Sequence, residues 1–402
     1  MIKRFVKTSK KIVELDSFRS TTAINIANDA SLAFSAILMI MWNIPETTIL
    51  WVFCTYFFLS SVMLKLTTGI RPRYLFILLA ISMGLCIAFA RDNGQVFIPI
   101  MLIIMMTLLD LLKINLVHDL KVLSDKTGDS YTTIISVNSM LALFFAGVSL
   151  PLFGYIGGFG SSVLFSVLLV IVLYSYRLGR NVKPSHAKDG SAFKVKLSYE
   201  IKIMAFLSFS MSSVAFLSRR FVLPVLVMKI SQHLGMEDRA LYIFGTVMGF
   251  VALFTMLLRG RNSGSESTGF MFRSYYFVLI GWALISGILM MNEIKTSYIV
   301  FACFLVLWVD YYARIWSITF VSYSSLIADK DNMSSFNPSR LMGYMSVQTI
   351  YKSIGSAFGF AVAALLYNYI DLGSILLSMC IISLLVGLFS HSLMKKKMDV
   401  SA

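Results

Sequence analysis

Two stretches of this chain set an acid and a base about one helical turn apart within otherwise apolar sequence: Asp310 and Arg314 in LWVDYYARIW, and Asp110 and Lys113 in LLDLLK. Spacings of three and four residues place both members of a pair on one helix face. Such a pair has two uses. It can lock a helix bundle as a self-neutralising ion pair, or its carboxylate can exchange the basic partner for a proton or a substrate. A third group, NIAND, brings Asn25, Asn28 and Asp29 within about one turn, either a proton-titrating carboxylate with amide neighbours or polar glue between helices. A fourth is the adjacent pair Arg219 and Arg220, which point about 100° apart on a helix and so face different neighbours. A guanidinium in a wet cavity is a planar fork suited to carboxylate or phosphate. Lys352 completes the set, and Trp308, Tyr311, Tyr312 and Trp316 surround the Asp310 pair.

The medium around these groups follows from composition. Of 402 residues, 57% are hydrophobic and 14% charged, and the mean hydropathy is +0.79, against roughly 45–50% and about 25% in soluble chains. Twelve apolar runs approach or exceed the roughly 20 residues that cross a hydrocarbon core. They lie near 21–43, 47–66, 74–91, 97–118, 131–153, 160–178, 203–230, 240–258, 272–291, 297–320, 341–368 and 371–394. The runs are continuous and not alternating, which favours helices over a membrane barrel. The expected fold is an all-α membrane protein with twelve transmembrane helices in two pseudo-symmetric six-helix bundles.

Charge sets the expected orientation. With both termini in the cytoplasm, most of the 35 Lys and Arg fall on that side, including KRFVKTSKK, Arg71, Arg73, RGR at 259–261 and Lys395, Lys396 and Lys397. Arg91, Lys229, Arg239 and Lys295 fall outside, the asymmetry the positive-inside rule requires. The net charge of +15 is then a topology signal and an attraction to anionic lipid. Its scatter among loops argues against nucleic-acid binding. The polar stretch near 177–200 reads as a linker. The resulting division is an N-terminal segment 1–20, a bundle 21–178, a linker 179–202, a bundle 203–394 and a tail 395–402. The four cysteines, Cys54, Cys86, Cys303 and Cys380, all sit in apolar runs as small packing residues,. The histidines have no spacing for a metal, and no phosphate-cradling loop is present, so neither a cofactor nor a metal nor an enzymatic reaction is expected.

Six plus six spans with a basic central loop resemble the major facilitator superfamily. FRSTTAINIANDASLAF at 18–34 is similar to the FRxLxxxxxxSxxGD opening of its drug and siderophore exporters, through Phe18, Arg19 and Asp29, with Asn28 replacing the usual glycine. FLSRRFVLPVLV resembles the end of the corresponding seventh helix. KLTTGIRPRY departs from the superfamily's GxLxDRxGRR loop, with Thr68 at the acidic position. GVSLPLFGYIGG keeps Gly147, Pro151, Gly154, Gly157 and Gly158 of the fifth-helix motif of antiporters, and those glycines read as close packing and a bend,.

The resemblance implies a cavity lined chiefly by spans 1, 4, 7 and 10. Every intramembrane charge named above except Lys352, on span 11, falls on those four. Each costs at least about 2.5–3.5 kcal/mol at the centre of a lipid-exposed helix, so their concentration calls for a reason. The expected activity is export of a small organic molecule by proton-coupled alternating access across a bacterial inner membrane, with a siderophore, a peptide-like antibiotic and a drug as the candidate substrates. Asp29, Asp110 and Asp310 are the candidate proton carriers. Asn25, Asn28, Lys113, Arg219, Arg220, Trp308, Arg314 and Lys352 are the candidates for substrate binding or charge gating. Five bases against three acids favour an anionic or zwitterionic substrate. Expected partners are that substrate, protons and membrane lipid, with the chain a monomer. Import or facilitated passage of an anionic metabolite is the first alternative, and a non-transporting immunity or sensor protein in the same fold is the second.

Overall fold

The computed structural model describes residues 16–66, 72–89, 97–127, 131–179, 197–259, 268–291, 338–401 and a set of helical positions between 297 and 320. The described residues hold no strand. The helices are α1 (Asp16–Met41), α2 (Glu46–Leu66), α3 (Pro72–Phe89), α4 (Phe97–Thr127), α5 (Tyr131–Gly157), α6 (Ser161–Gly179), α7 (Tyr199–Leu217), α8 (Leu223–His233), α9 (Ala240–Arg259), α10 (Thr268–Leu289), α11 (Pro338–Leu366) and α12 (Leu372–Ser401). A π turn, Ser218–Val222, joins α7 to α8, which together form one span.

Among the described residues, nine helical segments are long and apolar enough to cross a membrane, and Arg73–Phe89, Phe97–Leu112 and Phe304–Ala313 are shorter apolar helices. Large apolar side chains cover the surface, among them Phe58, Val170, Leu257, Leu365 and Phe389. In water such a surface would aggregate; in lipid it is the expected coat. The chain is a multi-pass membrane protein. Several helices outrun their apolar cores: α4 continues to Thr127 and α12 through Lys395, Lys396 and Lys397 to Ser401.

In lipid, polar backbone must be satisfied within the chain, and hydroxyls compete for the same carbonyls. Here they bond back along their own helix: Ser208 to the Met204 carbonyl, Ser231 to Val227, Thr255 to Val251 and Ser286 to Trp282, at 2.7–3.0 Å,. Helix ends are closed just as locally. After α8, Gly235 takes φ +64, and the Met236 and Gly235 amides return to Ser231 and Gln232, a Schellman closure.

The chain forms two compact units. The first comprises Met1–Pro45, Val62–Lys188 and Val227–Met256; the second comprises Glu46–Ser61, Asp189–Leu226 and Leu257–Ala402. In the first unit α1 packs on α4, α5 and α6, and the Ser20 and Ser175 hydroxyls meet at 2.8 Å between α1 and α6. The glycine face of α5 lies against α9: a side chain at Gly147 would strike Leu253, and one at Gly154 the Leu241 carbonyl. On the facing helix, a side chain at Gly249 would meet the Pro151 ring at 2.6 Å. Close packing, expected for these glycines, is what they provide.

In the second unit α7 packs on α11, α12 and α10. A side chain at Gly355 or Gly359 of α11 would collide with the backbone carbonyl of Phe209 or Ser213, the small-residue contact that lets helices approach in lipid. The buried Tyr275 hydroxyl of α10 donates to the Ser383 carbonyl at 2.7 Å and lies 3.2 Å from the Ser210 hydroxyl, tying three helices. Phe53 and Phe57 of α2 stack on Phe360 with centroids 5.2 and 5.7 Å apart.

Candidate functional site

α1 and the α7–α8 span are the most enclosed helices: 78% and 72% of their most apolar stretches are buried, against 28% for α6. Both carry polar groups into the interior, among them Asn25, Asn28, Ser212 and Arg220.

In the first unit Asn25 and Asn28 are 6% and 1% exposed, while Asp29 is half-buried. The Asn28 amide donates to Asp110 Oδ1 at 3.2 Å, so α1 and α4 are joined by a contact that the sequence reading did not foresee. Spacing alone pairs Asp110 with Lys113, which lies on α4 with its side chain outside the described residues. The buried side-chain oxygens of Asn25, Asn28 and Thr107 lack a hydrogen-bond partner. Thr107 stands one turn before Asp110 on α4. Each such group costs about 1–3 kcal/mol if left unsatisfied. These unsatisfied groups flank the Asn28–Asp110 contact on α1 and α4 and give the enclosed interior spare polar capacity.

In the second unit the four serines of α7 divide by role. Ser208 and Ser213 bond to their own helix, and the Ser210 hydroxyl lies beside that of Tyr275. Ser212 is 1% exposed, and its hydroxyl has no partner. Immediately beyond lies the π turn, in which the Leu223 amide reaches back to the Ser218 carbonyl. The cause is Pro224: it has no N–H to return to the Arg220 carbonyl, and its ring clashes there, so the helix widens by one residue. Arg219 and Arg220 occupy this turn. Arg219 is half-buried and Arg220 is 5% exposed, and both interact with neighbours. Arg220 thus lies on the single π turn among the described residues, and such turns frequently mark functional positions.

α11 adds two residues, Tyr344 and Gln348, to the candidate Lys352. Tyr344, Gln348 and Lys352 recur every fourth residue on one face. Tyr344 is fully buried, Gln348 is 5% exposed with its Nε2 lacking a partner, and Lys352 is half-buried. Lys352 is conspicuous in an apolar run by its formal charge, whereas the neutral amide of Gln348 a turn away is not. Trp316 is fully buried with an unpartnered indole nitrogen. Trp308 is 44% exposed, its ring edge-on to Phe277 at 5.5 Å. Asp310 and Arg314 lie outside the described residues, as does Cys303.

No protein-family profile matches this chain, and no curated protein matches it in sequence. Solved structures do match. A POT family transporter in complex with a thioalcohol-conjugated peptide has TM-score 0.65 at 11% identity, covering 94% of this chain and 96% of the other. A POT family transporter in complex with 5-aminolevulinic acid gives 0.63 at 10% identity over 93% and 94%. The nucleoside transporter NupG gives 0.59 at 10% identity over 94% and 98%. The chain therefore has the fold of these transporters over nearly its whole length.

Proposed function

We propose that this chain is a proton-coupled secondary transporter of a small organic anion or zwitterion, working by alternating access. The observation that carries the reading is the placement of Arg220. A guanidinium buried on a proline-induced π turn of an enclosed membrane helix is too costly for packing alone, and its fork suits a carboxylate or phosphate. Gln348 and Lys352 lie on α11 of the same unit, several turns from the level of Arg220 in the α7–α11 register, and are assigned a separate polar position. Asn28, Asp29 and Asp110 supply two carboxyl groups and a neutral amide donor beside one of them. An ionised Asp110 accepts from Asn28, whereas a protonated one is itself a donor. Asp310 and Arg314 are assigned a further exchange pair of the same kind.

Export is the proposed direction, resting on the resemblance of 18–34 to drug and siderophore exporters. The solved relatives, one holding a conjugated peptide and one 5-aminolevulinic acid, support a zwitterionic substrate and are equally compatible with import. Substrate-induced thermal stabilisation of the purified chain across anionic, zwitterionic and cationic metabolites tests the charge class. An anion or zwitterion stabilises the wild type, and Arg220→Gln weakens its binding about ten- to hundredfold, the loss of one charge-assisted hydrogen bond. Stabilisation by cations alone removes the proposed role of Arg220. Uptake into inside-out against right-side-out vesicles then separates export from import.

A further inference from the structure

An open notch of about 320 Å³ lies on the second unit at the start of α10, lined by Phe272, Arg273, Tyr276, Phe277, Ile280 and His391 of α12, with Gly269 at its edge. It is remote in sequence from the buried polar groups above, and its wall is built. α10 and α12 are held together beneath it, where a side chain at Gly387 would meet the Tyr275 ring at 2.5 Å. His391 stacks on Phe272 with centroids 4.4 Å apart and planes 14° from parallel. Its Nδ1 lies 3.5 Å from the Tyr276 hydroxyl. With that hydroxyl donating, the ring carries its proton on Nε2 and is itself a donor. Arg273 is exposed and has no ion-pair partner among the described residues.

Two apolar stripes lead away from these polar groups. On α10, Phe277, Ile280 and Leu284 follow Arg273 at helical spacing, with Ile280 and Leu284 53% and 49% exposed. On α12, Leu388, Leu384 and Ile381 precede His391 at the same spacing and are 53%, 40% and 52% exposed. The helices run in opposite directions, so both stripes descend from one level. Beyond His391, α12 continues through Lys395, Lys396 and Lys397, which the charge distribution assigns to the cytoplasmic leaflet.

We propose that this notch is a binding site for an anionic glycerophospholipid, its phosphate held by Arg273 and His391 and its acyl chains laid along the Ile280–Leu284 and Leu388–Ile381 stripes. A basic, aromatic-walled head above two lipid-facing apolar tracks matches a phosphodiester joined to hydrocarbon. A soluble anion has no use for the tracks.

The test uses the full chain in mild detergent, titrated with phosphatidylglycerol or phosphatidylcholine of identical acyl chains and read by native mass spectrometry. Phosphatidylglycerol is retained preferentially, and Arg273→Gln weakens that retention about fivefold, the factor carried by one basic group near an anionic surface. Inorganic phosphate and glycerol 3-phosphate do not displace it. Equal retention of the two lipids, an unchanged Arg273→Gln variant, or displacement by phosphate overturns the proposal. Photoreactive phosphatidylglycerol provides a second readout in native-like protein. Crosslinks fall within 269–284 and 381–391 and persist when Lys395, Lys396 and Lys397 are replaced by Gln. Crosslinks elsewhere, or their loss in that triple variant, contradict the assignment.

Discussion

At the scale of single residues, the interior is organised around who donates to whom. Asn28 donates to Asp110 across two helices, which ties the carboxyl group of α4 to α1. Asp110→Asn freezes a neutral side chain there. The expected outcome is substrate binding within about threefold of wild type with loss of proton-driven accumulation, checked by comparing counterflow exchange with gradient-driven uptake. Normal accumulation would remove Asp110 from the coupling route. Asp29→Asn is expected to lose the pH-gradient dependence of transport in the same assay. The acids and bases were legible from the sequence because charge in an apolar run is conspicuous. The amides Asn28 and Gln348 show why that was only part of the site. Asn28 was noticed for its neighbours but its partner was not, since contact between α1 and α4 spans 82 residues of chain. Gln348 carried no signal beyond its place on a face with Tyr344 and Lys352.

At the scale of elements, proline and glycine set the geometry. The π turn was readable in principle from Pro224 in FVLP, because a proline inside a helix displaces the bond to the fourth residue before it. Apolar-run counting cannot see it, since the run continues unbroken. Gly355 and Gly359 form the close contact between α11 and α7. Gly359→Val is expected to lower stability by about 1–3 kcal/mol, the cost of overpacking, or to prevent folding. Gly287→Ala, where a side chain would meet nothing within 4 Å, is expected to be neutral or slightly stabilising. Melting temperatures in one detergent decide between these outcomes, and equal effects at both positions would refute the packing assignment.

Asp371 caps α12 from outside the span: its carboxylate accepts the Ser374 hydroxyl at 2.5 Å and the Ser374 amide at 2.9 Å, which together hold its pKa below the ordinary carboxylate value. The folded value lies below the unfolded one, so the cap's contribution is present at neutral pH and is lost as pH falls from about 4 towards the folded value. Asp371→Ala is expected to cost at most about 1 kcal/mol, since the site is exposed. Asp371→Asn keeps most of the cap and removes the acid sensitivity, seen as a stability difference from wild type that shrinks on acidification.

At the scale of the whole molecule, composition and span length pointed to a multi-pass helical protein, and similarity to solved transporters over more than nine-tenths of the chain places it in their fold. Which helices contact which was beyond the sequence: the apolar runs look alike, while packing depends on small residues on particular faces, such as Gly249 against Pro151. In the proposed mechanism Asp110, Asp310 and Arg220 each affect transport of one substrate, and proton movement reports that effect. The measurement to make is internal pH in sealed proteoliposomes of the purified chain while anionic, zwitterionic and cationic metabolites are added in turn. An anion or zwitterion is expected to trigger proton flux that is absent with Asp110→Asn and with Asp310→Asn and strongly reduced with Arg220→Gln. Substrate that crosses the membrane without proton movement, or flux unchanged in these variants, would contradict proton-coupled transport through these residues.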